Sequence, residues 1–325
     1  MSEFHVVVVE IGEIQDHPNA DRLSVTNVMN AYPCVMRKGE FQPGDKAVYI
    51  PIDSLVPLKD SHFSFLSDVV GKEYQRIKAK KLRNLFSMGM LIPSDPAWVV
   101  GQNVQEELGI KKWEPEADKL STSGLSIVCG IPVPVYDLEG LRKYKSHLII
   151  GEEVQLEEKI HGTSARFLVD TEGTLWVGSR NQFKKEDPSN MWWKMALQHN
   201  LKEKLAQHPN VVFYGEVYGN VQDLKYDANK NEVFLRFFDI FDLSTGKFLD
   251  VDDRTNLLAD LELEVVPLLF RGPWSEELIS LAEGQSTIAS NIREGFVVRP
   301  IKERWEQSCG RVVFKMVGQN YLLRS

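Results

Sequence analysis

From Phe4 to about Gly109, short apolar runs alternate with turns rich in Gly, Pro and Asn. The runs Val6 to Ile11, Leu23 to Val28, Lys46 to Ile50 and Met88 to Ile92 predict the strands of a small β-barrel over residues 1–110. Between Lys111 and Cys129 the pattern gives way to polar residues with Pro115 and a Ser121-Thr-Ser-Gly cluster, which predicts a linker over 111–129. From about Gly130 to the last residue, 325, strand-like runs alternate with a few helical stretches, the pattern of an α+β domain. One helix is strongly signalled. Asp187 stands as its cap and Pro188 in its first turn, and Trp192, Ala196, Leu197, Leu201 and Leu205 share a face, with Pro209 beyond the end. Trp192 and Trp193 are also candidates to stack on bases, but Trp193 falls on the Ala196–Leu197 face and is expected to pack beneath the helix.

Composition narrows the class. Of 325 residues, 43% are apolar and 26% charged, the balance of a soluble globular protein. The longest apolar runs, Val6 to Val9 and Ile131 to Val135, are far shorter than the roughly 20 residues of a membrane span. The start, Met-Ser-Glu-Phe-His, lacks the features of a secretory signal. Cys34, Cys129 and Cys309 form no CxxC pair, so neither a disulfide framework nor structural zinc is expected, and a cytoplasmic location follows.

A net charge of −8 argues against coating nucleic acid through bulk charge but leaves room for a local basic groove. Lys72, Arg76, Lys78, Lys80, Lys81 and Arg83 lie close together with Glu73 as the one acid among them. Such a run suits either a phosphate backbone, contacted through Lys78, Lys80, Lys81 and Arg83, or a plain solvated face. His17 and Asp21 lack a third ligand at metal spacing, so a turn stabilised by Asn19 and Asp21 is expected there.

The chemistry is carried by Glu157-Glu-Lys-Ile-His-Gly-Thr-Ser, where Lys159 follows a β-like run and Gly162 lets the backbone approach a ligand. An uncharged lysine amine can attack a nucleotide α-phosphate where desolvation or neighbouring cations favour loss of its proton. Further elements follow in order. Ser179-Arg-Asn offers a guanidinium, Phe213-Tyr-Gly-Glu-Val-Tyr-Gly a carboxylate, and Leu235-Arg-Phe-Phe-Asp-Ile an aromatic pair. Glu294-Gly-Phe-Val-Val-Arg brings a second carboxylate, and Val312-Val-Phe-Lys-Met-Val a lysine on an apolar strand.

This series resembles motifs I, Ia, III, IIIa, IV and V of the covalent nucleotidyltransferases, the superfamily of ATP-dependent ligases and mRNA capping enzymes. His161, standing where many relatives carry Asp, resembles the RNA ligase 2 and RNA-editing ligase branch. In the N-terminal third, His17-Pro-Asn-Ala-Asp-Arg-Leu, Phe41-Gln-Pro-Gly-Asp, Ile77-Lys-Ala-Lys-Lys-Leu-Arg and Ser87-Met-Gly-Met are similar to tRNA-binding OB domains. An OB domain ahead of a transferase domain that ends ten residues after Lys315 resembles the Deinococcus-type RNA ligases.

The resemblance implies an OB-like nucleic-acid-binding barrel followed by an adenylyltransferase domain of the covalent, ATP-grasp-like ligase kind. It implies an RNA repair enzyme that uses ATP and Mg2+ or Mn2+ to join RNA 3′-OH and 5′-phosphate ends, on a nicked duplex, broken RNA or an RNA/DNA hybrid, and works as a monomer. Lys159 would form lysyl-AMP. Glu158 would contact the adenine amino group, Arg180 the ribose or 5′-phosphate, and Glu216 the ribose hydroxyls or a metal ion. Glu294 would position the metal, Lys315 would neutralise the α-phosphate, and His161 would serve the later steps. Phe238 would stack on adenine, with Phe237 as the competing choice because alternate residues of a strand face opposite sides.

Two departures stand out. Relatives often carry two motif V lysines spaced by one residue, whereas Lys315 is flanked at that spacing by Val313 and Val317; Arg299, Arg311 or a second metal ion are the substitutes on offer. Ser164 stands where RNA ligase 2 relatives often have Asn. The same residues would also serve a DNA ligase or a GTP-using capping enzyme, and a transferase domain without activity would leave an RNA-binding protein.

Overall fold

The computed structural model describes residues 4–66, 72–114 and 125–324. It divides into two compact units, residues 1–114 with 322–325, and residues 115–321. The Pro115 and Ser121-Thr-Ser-Gly portion of the expected linker lies outside the described residues, and Lys111–Lys112 is already a strand of the first unit.

Short antiparallel strands build the first unit. Lys46–Ile50 pairs with both Val7–Glu10 and Met90–Pro93, and Leu23–Val28 lies between Ile14–Asp16 and Tyr32–Arg37. Ser54–Pro57 pairs with Tyr74–Arg76 and Lys111–Lys112. Val8, Val48, Ile50, Val56 and Ile92 share one apolar cluster, and Val9, Val28, Cys34, Met36 and Phe41 another. Leu322 and Leu323 pack against Ala79, Phe86 and Met88.

The basic run divides within this unit. Arg76 donates to Asp53 through Nε at 3.0 Å and Nη2 at 2.7 Å and lies 3.3 Å over the Trp113 ring, so its guanidinium serves the fold. Lys80, Lys81 and Arg83 are exposed on a hairpin of Lys80–Leu82 and Leu85–Ser87, and Lys78 is half-buried just before it. His17 fastens this hairpin. Its Nδ1 accepts from the Asn19 backbone N–H at 3.1 Å, which leaves Nε2 as the donor to the Leu82 carbonyl at 3.0 Å. The expected turn is therefore held by His17 and Asn19, and Asp21 is exposed.

The second unit contains a seven-stranded and a five-stranded sheet. The first runs in the order Ser126–Ile127, Phe183–Lys184, Leu175–Ser179, Thr163–Val169, Val211–Gly219, Val233–Asp242, Lys247–Phe248. The second runs Glu139–Gly140, Phe314–Val317, Gly295–Pro300, Glu153–Lys159, Leu268–Pro273. One core joins Phe167, Val177, Phe213 and Phe237 to the helical residues Trp192, Ala196, Leu201 and Leu258; another lies around Leu156, Trp274, Phe296 and Phe314.

The expected helix begins later and is broken. Its N-cap is Asn190, whose side chain accepts from the Trp192 and Trp193 backbone N–H groups, while Asp187 instead closes a turn onto Ser189. Asn200, in the left-handed region at φ 51°, separates Met191–Gln198 from Leu201–Leu205, and Leu197 is exposed, off the face that Trp192, Trp193, Met195 and Ala196 bury. Both tryptophans are buried, with Trp192 Nε1 donating to the Ser164 carbonyl and Trp193 Nε1 to that of Lys184, so neither offers a ring to a base.

Candidate active site

Glu153–Lys159 is a central strand, paired with Leu268–Pro273 on one side and Gly295–Pro300 on the other; the register sets Lys159 opposite Gly295 and Glu158 opposite Phe296. The chain leaves this sheet at Lys159 and joins the other sheet at Thr163, so Ile160-His161-Gly162 crosses between the two. A Cβ on Gly162 would stand 2.3 Å from the Val217 carbonyl oxygen. The motif glycine is thus required by the close approach of the Val211–Gly219 strand, a reason different from the ligand approach inferred from sequence.

A cavity of about 300 Å³ opens at this crossing, a size suited to a small organic ligand. Lys159, Glu158, His161, Arg180, Glu216, Phe238, Glu294 and Lys315 all line it. Of the aromatic pair, Phe238 faces the cavity and Phe237 is buried in the helix-covered core, as strand alternation requires.

Lys159 Nζ lies 2.7 Å from Glu294 Oε1. Burial pushes the Glu294 carboxyl up, but the charges of Lys159 and His161 outweigh it and hold the group down to about 2. Lys315 is held below the ordinary lysine range, first by burial and then by the charge of Lys159, with Asp137 and Glu294 opposing. Arg180 Nη2 pairs with Asp137 Oδ1 at 3.0 Å.

The second Glu294 oxygen is buried, and no hydrogen-bond donor among the described residues reaches it; His161 Nδ1 is 3.7 Å away. Such an oxygen suits a divalent cation, and Glu216 brings a second carboxylate to the same cavity, so these two residues fit a metal with oxygen ligands.

Charge beneath the cavity is neutralised within the protein. Asp239 Oδ2 takes Arg299 Nη1 at 2.8 Å, Arg311 Nη1 at 2.7 Å and the Tyr136 hydroxyl at 2.7 Å. Although burial opposes it, Arg299 and Arg311 hold this carboxyl far below the usual range. Glu157 pairs with Arg254 and lies 3.4 Å from Arg299 Nη2. Arg254 and Arg299 also donate to the Phe238 carbonyl, at 2.6 and 3.2 Å, fixing the strand that presents the Phe238 ring. Arg311 is further bound to Glu303 and lies 3.6 Å over the Phe248 ring. Arg299 lines the cavity but is engaged by Asp239, so both arginines suggested as substitutes for the second motif V lysine are already committed.

Sequence reasoning missed several neighbours. His161 Nε2 lies 2.7 Å from Asp223 Oδ1, its Nδ1 lies 2.8 Å from the Tyr321 hydroxyl, and its backbone N–H donates to Tyr226 Oη at 2.6 Å. Asp223 and Tyr226 follow the Gly-Glu-Val-Tyr-Gly segment within a few residues, the one sequence cue to them. Ser286 and Thr287 grip Glu158 from a loop that carries no motif. The proposed nucleic-acid residues Lys78, Lys80, Lys81 and Arg83 belong to the other unit and line no part of this cavity.

Comparisons with known proteins agree on a class. The family described as RNA ligase matches residues 152–317, slightly more than half the chain, and an OB-fold domain matches residues 5–94. A Naegleria gruberi RNA ligase variant solved with ATP and manganese is similar at 25% identity, with 98% of each chain covered and a TM-score of 0.83. The Naegleria gruberi RNA ligase solved with pyrophosphate gives 25% identity, 98% of each chain and a TM-score of 0.84. A variant solved without ligand gives 26% identity, 98% of this chain and 97% of that one, and a TM-score of 0.83. No curated protein matches the sequence.

Proposed function

The chain belongs to the RNA ligase family, with an OB-fold domain at its N-terminus, and on that premise we propose that Lys159 is the residue that carries AMP. The protein is an ATP-dependent RNA ligase. In the first step the neutral Lys159 amine attacks the α-phosphorus of ATP, forming a P–N bond as the bond to pyrophosphate breaks. AMP then passes to an RNA 5′-phosphate, making a 5′–5′ pyrophosphate link and freeing Lys159. Finally an RNA 3′-hydroxyl attacks that 5′-phosphate and AMP leaves.

One observation carries this reading: Lys159, Arg180, Glu216, Phe238, Glu294 and Lys315, read from separate motifs, line a single cavity. The charges of Lys315 and Lys159 oppose one another while Glu294 holds the Lys159 amine at 2.7 Å, and attack requires that amine without its proton. Phe238 offers its ring to the base, Glu158 its carboxylate to the adenine amino group, and Arg180 its guanidinium to ribose or 5′-phosphate. His161, between Asp223 and Tyr321, is assigned to the later steps. Glu216 and Glu294 would hold Mg2+ or Mn2+, which when bound supplies charge neutralisation at the phosphates. The likeness to ligases solved with ATP and manganese supports both assignments.

We assign the first unit to nucleic-acid binding, through Lys78, Lys80, Lys81 and Arg83, and the second unit to group transfer. The substrate is broken or nicked RNA, including RNA/DNA hybrids, and the role RNA repair. We assign the protein as a monomer, and three free cysteines support the reducing cytoplasm. Among the described residues no helix is long and apolar enough to cross a membrane.

The test is covalent labelling with ATP radiolabelled at the α-phosphate. The native chain should acquire label and Lys159→Ala none; a labelled variant would remove the nucleophile assignment. Parallel reactions with GTP, and joining of ends differing only in the sugar at the 3′ terminus, separate an RNA ligase from capping-type and DNA-ligase chemistry.

A further inference from the structure

Glu158 is almost fully buried, yet it borders the nucleotide cavity. Its Oε1 accepts from the Ser286 hydroxyl at 2.6 Å; its Oε2 accepts from the Thr287 backbone N–H at 2.8 Å and the Thr287 hydroxyl at 2.7 Å. An ionised carboxylate offers about four acceptor directions, so three are filled and one, on Oε1, is left. The hydroxyl that fills the other Oε1 direction is itself oriented, because Ser286 Oγ also accepts from the Ile288 backbone N–H at 3.3 Å.

The loop that does this is tied at both ends. Arg293 N–H donates to the Gly284 carbonyl and Ser286 N–H to that of Asn291. The Arg293 guanidinium holds the Leu281 and Gln285 carbonyls, and Asp227 takes the Ser290 backbone N–H at 2.7 Å. Ile288 and Ala289 pack in the same apolar cluster as Ile160, Val266 and Phe238, three residues that form the apolar wall of the cavity.

We propose that Ser286 and Thr287 are positioning residues that set base specificity by fixing the Glu158 carboxyl as an acceptor with one lone pair aimed at the purine 6-position. This rests on the assignment of Glu158 to the adenine amino group. Adenine presents an N–H donor there, purine riboside presents only C–H, and guanine presents a carbonyl oxygen that would face a carboxylate of like polarity. A site built to accept one donor discriminates against a ligand that lacks it, because the buried acceptor is then left unpaired.

The experiment compares initial rates of covalent nucleotidyl-protein formation, as kcat/KM, for ATP and purine riboside triphosphate with the full chain. The native chain should favour ATP by about ten- to a hundredfold. In Ser286→Ala/Thr287→Val the ratio should fall by about tenfold through the ATP rate alone, while the rate with the analogue holds, and Thr287→Ser should keep the native ratio. A general disturbance of the loop would instead lower both rates together, and an unchanged ratio in the double variant overturns the proposal. Should the double variant not fold, Thr287→Val alone carries the same comparison. A native chain that forms no adduct with ATP would overturn the lysyl-AMP reading itself, an outcome distinct from an adduct whose base preference ignores the loop.

Discussion

The Lys159 ammonium and the Glu294 carboxylate stand 2.7 Å apart, and the carboxylate is the more deeply buried of the two. Relative to an ordinary value of 4.5, Glu294 is held down to about 2, against its burial, by Lys159 and His161. The stabilisation this represents is complete above about pH 4.5 and is lost as the pH falls towards 2. Its upper bound is about 3 kcal/mol, from roughly 1.4 kcal/mol for each unit of displacement. Thermal unfolding of the second unit, followed by near-UV circular dichroism, should lose stability across that window. Glu294→Gln should flatten that part of the curve, and an unchanged acid limb in the variant would show that the pair carries no such linkage.

Lys315 bears on the opposite end of the pH scale. Burial and the charge of Lys159 hold it below the ordinary lysine range, so in the free enzyme its charge is lost at a lower pH than that of a solvent-exposed lysine. If that charge neutralises the α-phosphate, kcat/KM for adenylylation should fall on the alkaline side correspondingly early. Arginine does not deprotonate in this range, so Lys315→Arg should lower the rate, through altered geometry, but move the alkaline limb upward. An alkaline limb that stays in place would assign it to another group.

Much of the site was legible because strand geometry is local. Once Lys159 was placed at the end of a strand and Phe237-Phe238 within one, alternation allowed only one phenylalanine into the cavity. The contacts that tune those residues are not local. Tyr321 lies 160 residues from the His161 it touches, and Ser286 lies 128 from Glu158; no spacing rule spans such separations. Local reading also failed where short polar residues compete for one role. Asp187 and Asn190 both suit a cap; Asn190 accepts from the Trp192 and Trp193 backbone, while Asp187 is engaged with Ser189. Gly162 was identified for its freedom of approach, but the neighbour that demands it, Val217, is in another strand.

The two adjacent phenylalanines should separate by what their loss affects. Phe237 is buried beneath the helices, so Phe237→Ala should cost about 3–5 kcal/mol of stability, read from denaturant unfolding of the second unit. Phe238 is half-buried and borders the cavity, so Phe238→Ala should weaken ATP binding by about 1–3 kcal/mol, the scale of a base stacked on an aromatic ring, measured by calorimetry. ATP affinity that survives Phe238→Ala would remove the stacking role.

The ion network below Phe238 makes a further demand. Arg254 is fully buried, pairs with Glu157 and donates to the Phe238 carbonyl at 2.6 Å, so it serves both charge balance and the placement of the strand that carries Phe238. Arg254→Met takes from Glu157 the partner bound to both of its oxygens and leaves it Arg299 Nη2 at 3.4 Å as the remaining cation, a guanidinium already held by Asp239. Removing one partner of a buried ion pair typically costs about 3–5 kcal/mol, and that loss should appear as a lower unfolding midpoint for the second unit. Adding Glu157→Gln to this variant removes the weakly paired buried charge, keeps a group that can hydrogen-bond, and should recover part of the stability. It should not recover ATP affinity, because the Phe238 carbonyl has still lost its shorter donor and keeps only Arg299 at 3.2 Å. Recovery of both would show that Arg254 acts through charge alone; recovery of neither would place its main role in packing.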